Sequence, residues 1–369
     1  MSAVGTRLVF EPFTCGDETV SHTLQTIFQK HPYASFYALD AKTNIIAAKY
    51  DLGETVKFEE FAARQVPAKM ATYVPFGHFD AVKSIVESWS FTPTMITGLS
   101  GNGKTQMVQE VCAQTMREFI RVNITSDTDE DDLIGGFRIQ TKGGDGGTFF
   151  ALGPVAVAMM RGAVLLLDEI DLGTNKVMCL QAVLEGKPLF IKKIGQYIYP
   201  APGFQIFATA NTKGQGDQTG KFAHTQIMNE AMLERFVITM EQEYPPDAIE
   251  KRILALEMKE LGLSNKNNLI ERLVKWGNQI RQSFDSGAVQ DLITTRRLVN
   301  IVRMLAVFGD NEDMCIKYGI SRFDKDTQDG FLTVWKKLIP TPSKSASSPT
   351  SVKPTVDIDL TSSGAKAFK

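Results

Sequence analysis

The stretch that decides the fold is GLSGNGKT, Gly98 to Thr105. It follows the short apolar run Thr94–Thr97 and precedes a segment with helical spacing, Gln106 to Arg117. The order G-x-x-x-x-G-K-[ST] between a strand and a helix is typical of a phosphate-binding loop, because glycines let backbone amides wrap around an anion. An ordinary glycine-rich turn is the alternative, and the flanking strand and helix argue against it.

Two side chains at the end of this loop are expected to carry chemistry. Lys104 is predicted to neutralise the β- and γ-phosphates of a nucleotide, and the Thr105 hydroxyl is predicted to ligate Mg²⁺. The residues predicted to contact the nucleotide are Gly98, Leu99, Ser100, Gly101, Asn102, Gly103, Lys104 and Thr105.

A second motif, GAVLLLDEID, places two carboxylates directly after an apolar run. Ligands bind at the carboxyl ends of strands in open α/β sheets, so Asp168 and Glu169 are expected in the site. Asp168 is predicted to hold the Mg²⁺ shell, and Glu169 to polarise the attacking water. A solvated strand end is the alternative. Asp171, two residues further on, is predicted to cap a helix.

A third motif, QIFATANT, ends another apolar run at Asn211. An amide side chain both donates and accepts hydrogen bonds, so Asn211 could orient water or contact the γ-phosphate. The alternative is a turn residue, and the position after two stronger motifs favours the catalytic interpretation.

Three arginines follow in LERF and TTRR: Arg235, Arg296 and Arg297. Phosphoryl transfer depends on positioning and charge neutralisation, and a well-placed arginine contributes about 10³–10⁵ in rate. Surface salt bridges or helix-end charges are the alternative for all three.

The wider pattern predicts an α/β fold with a five-stranded parallel sheet flanked by helices and a helical lid. Short apolar runs alternate with helical segments, which is typical of a parallel sheet covered on both faces. The predicted strands are Thr94–Thr97, Phe119–Val122, Ala163–Leu167, Gln205–Ala210 and Phe236–Met240. The predicted lid helices are Ile249 to Leu261, Leu269 to Phe284 and Leu298 to Phe308. Two β-hairpins are also expected, one turning at Lys142 to Gly147 and one within Pro188 to Phe204.

This pattern divides the chain of 369 residues into four parts. Residues 1–70 are predicted to form a small N-terminal α+β domain, 71–244 the nucleotide-binding core, and 245–339 the lid and C-terminal helices. Residues 340–369 are rich in Ser, Thr, Pro and Lys and poor in large apolar groups, which predicts a disordered tail.

Composition limits the classes of partner. A net charge of −2 gives no global reason to bind nucleic acid or an anionic membrane, although a local patch could still bind nucleic acid. The four cysteines form no C-x-x-C pair, so neither a zinc site nor a disulfide framework is suggested. No apolar run approaches the roughly 20 residues of a membrane span, which predicts a cytoplasmic protein.

The order GLSGNGKT, LLLDEID, ATANT, LERF and TTRR resembles the AAA+ superfamily, and within it the MoxR and CobS group of the helix-2-insert clade. CobS is the AAA+ subunit of the aerobic cobalt chelatase, and similar chains occur in T4-like tailed bacteriophages. The resemblance covers about Tyr73 to Phe308. It leaves the N-terminal region unmatched, so it supports an ATPase more strongly than any pathway.

The resemblance implies a role for each motif. Gly98 to Thr105 matches Walker A, Asp168 and Glu169 match Walker B, and Asn211 matches sensor 1. Arg235 resembles the arginine finger that acts on a neighbouring subunit, and Arg296 matches sensor 2.

The family's cofactors and partners are expected with these roles. They are ATP with Mg²⁺, a homo-oligomeric, hexameric ring, and a partner chain bearing a von Willebrand factor A domain or another protein client. If the chain is phage-encoded, its compartment would be the host cytoplasm.

Two functional hypotheses follow from these motifs. The first is an ATPase that remodels a partner protein or drives a chelatase-type complex. The second is a nucleic-acid-associated motor or a GTPase resembling McrB that acts on DNA. Stimulation of hydrolysis by DNA, sensitive to salt, would favour the second.

Overall fold

The structure is a computed structural model that describes residues 25–40, 45–53, 55–57, 65–142, 145–216, 225–309 and 311–339. The predicted tail at 340–369 and much of the predicted N-terminal domain therefore lie outside the described residues.

The strands within the described part follow the chain from the N-terminal region to the start of the lid. They are β1 (Tyr37–Asp40), β2 (Ile45–Ala48), β3 (Val56–Lys57), β4 (Thr94–Thr97), β5 (Phe119–Asn123), β6 (Gly135–Lys142), β7 (Asp145–Leu152), β8 (Val164–Asp168), β9 (Leu189–Ile191), β10 (Gln196–Ile198), β11 (Gln205–Thr209) and β12 (Ile238–Glu241).

The α-helices alternate with these strands and then continue alone. They are α1 (Phe79–Glu87), α2 (Lys104–Gln114), α3 (Glu130–Leu133), α4 (Pro154–Arg161), α5 (Gln181–Leu184), α6 (Glu230–Leu233), α7 (Asp247–Glu260), α8 (Leu269–Asp285), α9 (Thr295–Phe308), α10 (Glu312–Ile320) and α11 (Lys325–Leu338). Short 3₁₀ segments lie at Ala34–Phe36, Ile170–Leu172, Asn175–Leu180 and Lys266–Asn268.

The central sheet has five strands in the order β12-β4-β11-β8-β5, and every neighbouring pair is parallel. Every residue of β4, β8 and β11 is buried. Helices cover both faces of a parallel sheet, which explains why these strands are apolar throughout rather than alternating. The predicted α/β class and five-stranded parallel sheet are confirmed, with strand ends that shift by one or two residues.

Three apolar clusters lie within the described residues. One packs against the central sheet and includes six residues of α4, from Val155 to Met160, which are all buried. A second joins α1 and α2 to the sheet and includes Phe79 and Met107. The third lies among the helices that follow β12, where the Trp276 and Trp335 rings meet edge to face with centroids 5.5 Å apart. The lid therefore has a core of its own.

Two antiparallel hairpins project from the sheet, as predicted. Strands β6 and β7 form the longer one, and β9 and β10 form the shorter one. The antiparallel pair β1–β2 lies near the shorter hairpin, where the Phe36 ring stacks on Tyr199 at a centroid distance of 3.6 Å.

No helix in the described part of the chain combines the length and the apolar character that crossing a membrane requires.

Candidate functional site

The phosphate-binding loop has a backbone that only glycine can supply at two positions. Gly98 has a φ of +132°, and a Cβ there would lie 2.2 Å from the Gln242 carbonyl oxygen. Gly101 has a φ of +74°, and a Cβ there would lie 2.8 Å from Cβ of Thr294. These close approaches fix the loop between the end of β12 and the start of the lid helix α9.

Lys104 is buried in this loop, with 7% of its surface exposed. Its ammonium group donates to the carbonyl oxygens of Gly98 at 2.6 Å and Leu99 at 3.0 Å, and to Oδ1 of Asn211 at 3.3 Å. Burial lowers the pKa of Lys104 to about 8, and the nearby Asp171 carboxylate is the strongest of the charges that oppose this change. A bound anion would therefore favour the charged form of Lys104.

Asp168 is the buried carboxylate at the end of β8. Its Oδ1 accepts hydrogen bonds from Thr105 Oγ1 at 2.8 Å and from the Thr209 hydroxyl, and its Oδ2 lies 2.5 Å from Arg121 Nη2. The Thr105 hydroxyl and the Asp168 carboxylate therefore lie side by side as two oxygen groups. Such hard oxygen donors suit Mg²⁺, which usually binds one or two protein groups together with phosphates.

Glu169 follows Asp168 with a left-handed backbone, at a φ of +59°. Non-glycine residues in this region cost about 1–3 kcal/mol and cluster at functional sites. The Glu169 backbone N–H donates to Thr209 Oγ1 at 3.0 Å, which stabilises the turn. The exposed Glu169 side chain lines the same cleft as Lys104.

Asp171 does not cap a helix, so that prediction is wrong. It lies within the 3₁₀ segment Ile170–Leu172, fully buried, and Oδ2 accepts hydrogen bonds from the Asn211 N–H, the Thr212 N–H and the Thr212 hydroxyl, each at 2.9 Å. Its Oδ1 has no hydrogen-bond partner among the described residues. The Asp171 carboxylate accepts hydrogen bonds from these three donors after β11 instead of from the backbone N–H groups of a following helix.

The cleft also has an apolar end, distant in sequence from the motifs. It is formed by Met70, Tyr73, Val74 and Phe76 before the sheet and by Ile253 and Val299 from lid helices α7 and α9. The Phe76 ring packs on the loop, since a Cβ at Gly103 would lie 3.5 Å from its Cζ. These side chains can take an aromatic base beside the phosphate-binding loop.

The three arginines lie in different places. Arg296 lines the cleft, and its N–H donates to the Gly101 carbonyl at 3.4 Å. Arg297 is half-buried and does not line the cleft. Arg235 lies outside the cleft, where Nη2 is 2.8 Å from Glu185 Oε1 and the guanidinium also donates to the Ala231 carbonyl.

The predicted catalytic and metal-binding residues other than Arg235 therefore converge, together with loop residues 100–105, whereas Gly98 and Leu99 do not line this cleft. The cleft is lined by Lys104, Thr105, Asp168, Glu169, Asn211 and Arg296. Arg121, Thr209 and the apolar end were not predicted from the sequence. Arg121 could have been found as a charged residue inside the predicted strand FIRV, and Thr209 as a hydroxyl two residues before Asn211.

Known proteins resemble the part of the chain that contains these motifs. The family model of the AAA domain, dynein-related subfamily, matches residues 93–236. The aerobic cobaltochelatase subunit CobS of Sinorhizobium sp is 31% identical over 218 residues, which are 58% of this chain and 66% of that subunit. An uncharacterised protein of Staphylococcus saprophyticus is 26% identical over 56% of this chain and 75% of its own length.

Solved structures of RuvB variants from Thermotoga maritima also align with the chain. They are 15% and 16% identical, with TM-scores of 0.45 and 0.42, and cover 69% and 68% of this chain and 72% and 67% of their own. With the motifs, the sheet order and the family match together, residues 93–236 are an AAA domain, and the chain is similar to AAA+ ATPases of the MoxR/CobS type.

Proposed function

We propose that this chain binds ATP with Mg²⁺ in the cleft between its sheet and its lid and hydrolyses it to ADP and phosphate. It acts as a subunit of a homo-oligomeric, hexameric ring that remodels a partner protein or drives a chelatase-type complex. The observation that carries the proposal is the convergence of Lys104, the Thr105–Asp168 pair, Glu169 and Asn211 in one cleft.

Phosphate binding is assigned to the loop and its lysine. Backbone amides at the start of α2 would bind the anion, and Lys104 would exchange its contacts with the loop carbonyls for the β- and γ-phosphates. Thr105 and Asp168 would hold Mg²⁺. When bound, the metal ion neutralises phosphate charge and orients the γ-phosphoryl group.

Hydrolysis is assigned to the residues at the tips of β8 and β11. The Glu169 carboxylate accepts a proton from water as the water oxygen bonds to the γ-phosphorus, and the bond from that phosphorus to the bridging oxygen breaks. Asn211 orients the water, because its amide both donates and accepts. Arg296 brings a positive charge from the lid to the same cleft.

Assembly is assigned to Arg235, which lies outside the cleft of its own chain. Its ion pair with Glu185 is partly exposed, at 25% and 30% of the two side chains, so solvent screens it and it contributes little to stability. Arg235 can therefore leave Glu185 at low cost and act on the nucleotide of a neighbouring subunit. A separate chain with a von Willebrand factor A domain is the proposed partner.

The test is phosphate release by the purified full chain, compared with the Glu169→Gln variant. Wild type should hydrolyse ATP in the presence of Mg²⁺, and the variant should keep ATP bound while losing about 10²–10⁴ in turnover, because it lacks the carboxylate that accepts the proton. Wild-type turnover by the variant would disprove the catalytic assignment.

The same variant can identify the client. A ring that binds ATP without hydrolysing it should retain its partner, which affinity capture from the native cell would then recover. Salt-sensitive stimulation of wild-type turnover by DNA, without a captured protein, would contradict the remodelling role.

A further inference from the structure

Arg121 contacts the same carboxylate to which Mg²⁺ binding is assigned. It lies on β5, where its Cα pairs with Leu166, two residues before the register position of Asp168. The side chain therefore extends about 7 Å along the sheet toward its carboxyl edge. There Nη2 lies 2.5 Å from Asp168 Oδ2.

The two oxygens of Asp168 have different partners. Oδ1 accepts from the hydroxyls of Thr105 and Thr209, whereas Oδ2 contacts the Arg121 guanidinium. A charge-assisted contact of this kind is about twice as strong as a neutral hydrogen bond. Any cation that approaches Oδ2 must therefore displace a positively charged group.

From this competition we infer that Arg121 suppresses binding of a divalent cation to Asp168 in the absence of nucleotide, so that metal enters the site together with the phosphates. The inference rests on the proposed function and adds a positioning residue to it. Nucleotide phosphates provide ligands for the metal beyond the Thr105 and Asp168 oxygens, and they make displacement of Arg121 favourable.

Two observations favour Arg121 for this role over Lys104. Lys104 donates its protons to loop carbonyls and to Asn211, whereas Arg121 contacts the carboxylate itself. The Arg121 side chain is 44% exposed while Asp168 is 6% exposed, so the arginine can move into solvent without opening the core. A purely structural role, in which the pair only joins β5 to β8, is the alternative.

Binding of Mn²⁺ to the nucleotide-free protein distinguishes these roles. Mn²⁺ serves as the probe because its free form is measured directly by electron paramagnetic resonance. The Arg121→Gln variant should bind Mn²⁺ at least about tenfold more tightly than wild type, since a charge competing for Oδ2 is gone. Arg121→Met keeps the aliphatic stem and should give the same gain, which preserves the test if the glutamine variant fails to fold.

A matched ion pair controls for the general effect of freeing a carboxylate. Arg303 and Glu257 lie 2.5 Å apart with 57% and 9% of their side chains exposed, similar to Arg121 and Asp168. Both line the same cleft, so Arg303→Gln also controls for the loss of a positive charge there. It should leave the Mn²⁺ affinity at the wild-type value, because among the described residues Glu257 is hydrogen-bonded to Arg303 and to no hydroxyl.

Four outcomes separate the possibilities. Equal Mn²⁺ affinity in wild type and in the folded Arg121 variants would overturn the inference, and so would an equal gain in Arg303→Gln. A lowered melting temperature without any change in Mn²⁺ affinity would indicate the structural role and would also overturn it. Failure of wild type to bind a fluorescent ATP analogue would instead overturn the proposed function.

Discussion

The two ends of the cleft are built in different ways. The phosphate end comes from three short motifs, and its side chains make direct polar contacts with one another, such as Lys104 with Asn211 and Thr105 with Asp168. The apolar end is assembled from a stretch before the sheet and from two lid helices, among them Tyr73, Ile253 and Val299. Binding at the phosphate end depends on the identity of particular residues, whereas binding at the apolar end depends on the shape of the surface.

This difference explains which part of the site a sequence reveals. Phosphate and Mg²⁺ require particular donors at fixed spacing, so the residues recur as a motif. An aromatic base requires only a flat apolar surface, which many side chains can provide. Substitutions should therefore have large effects at the phosphate end and small effects at the apolar end.

The largest effect is expected from an arginine that belongs to neither end in its own chain. Arg235→Ala should bind ATP but lose turnover by a factor on the order of 10³, because in the proposed ring this arginine completes the phosphate end of a neighbouring subunit. Phosphate release measured against protein concentration provides the readout. Mixed rings of Arg235→Ala and Lys104→Ala should recover part of the activity, since some interfaces combine an intact loop with an intact arginine. Full activity of a dilute monomer would disprove the model.

A smaller but still large effect is expected at the phosphate end itself. Lys104→Ala should weaken ATP binding about a hundredfold or abolish it, because the loss of a charged hydrogen-bond donor costs up to about 3 kcal/mol. Calorimetric titration provides the affinity. Lys213→Ala, which removes a surface ion pair with Glu241, serves as the control and should bind normally. Near-normal affinity in Lys104→Ala would count against the site.

Nucleotide affinity should change about tenfold with pH because of Lys104. Burial lowers the pKa of Lys104 to about 8, and bound phosphates favour its charged form and raise the pKa again. The complex then holds more protons than the free protein, so affinity should fall about tenfold between pH 7 and pH 9. Lys104→Arg, which stays charged, should show a much flatter profile. An unchanged slope in that variant would assign the pH effect to another group.

The smallest effect is expected at the apolar end. Val299→Ala removes two methyl groups from a half-buried side chain and should weaken nucleotide binding by less than about tenfold, given about 0.8 kcal/mol per buried carbon. Titration with ATP gives the value. A loss of affinity as large as that of Lys104→Ala would contradict the expected difference between the two ends.

The sequence predicted much of the fold, and the misses have physical causes. The last strand begins at Ile238, not at Phe236, because the Phe236 N–H donates to Leu233 at 3.0 Å and so continues the preceding turn. The partners of Asp171 lie 40 residues away, so no local pattern indicates its role. The contact of Arg121 with Asp168 joins residues 47 positions apart, and the apolar end of the cleft also combines distant segments. No local pattern predicts either feature.

The phosphate-binding loop contacts the segment that connects the sheet to the helices after β12. Tyr244 Oη donates to the Ser100 carbonyl at 2.7 Å, and the Tyr244 ring lies 4.2 Å from the Arg281 guanidinium, itself buried against Glu250. The loop is therefore in continuous contact with the core of these helices. If nucleotide binding changes the angle of the helices, thermodynamic reciprocity requires that an imposed change of that angle alters nucleotide affinity by the same free energy.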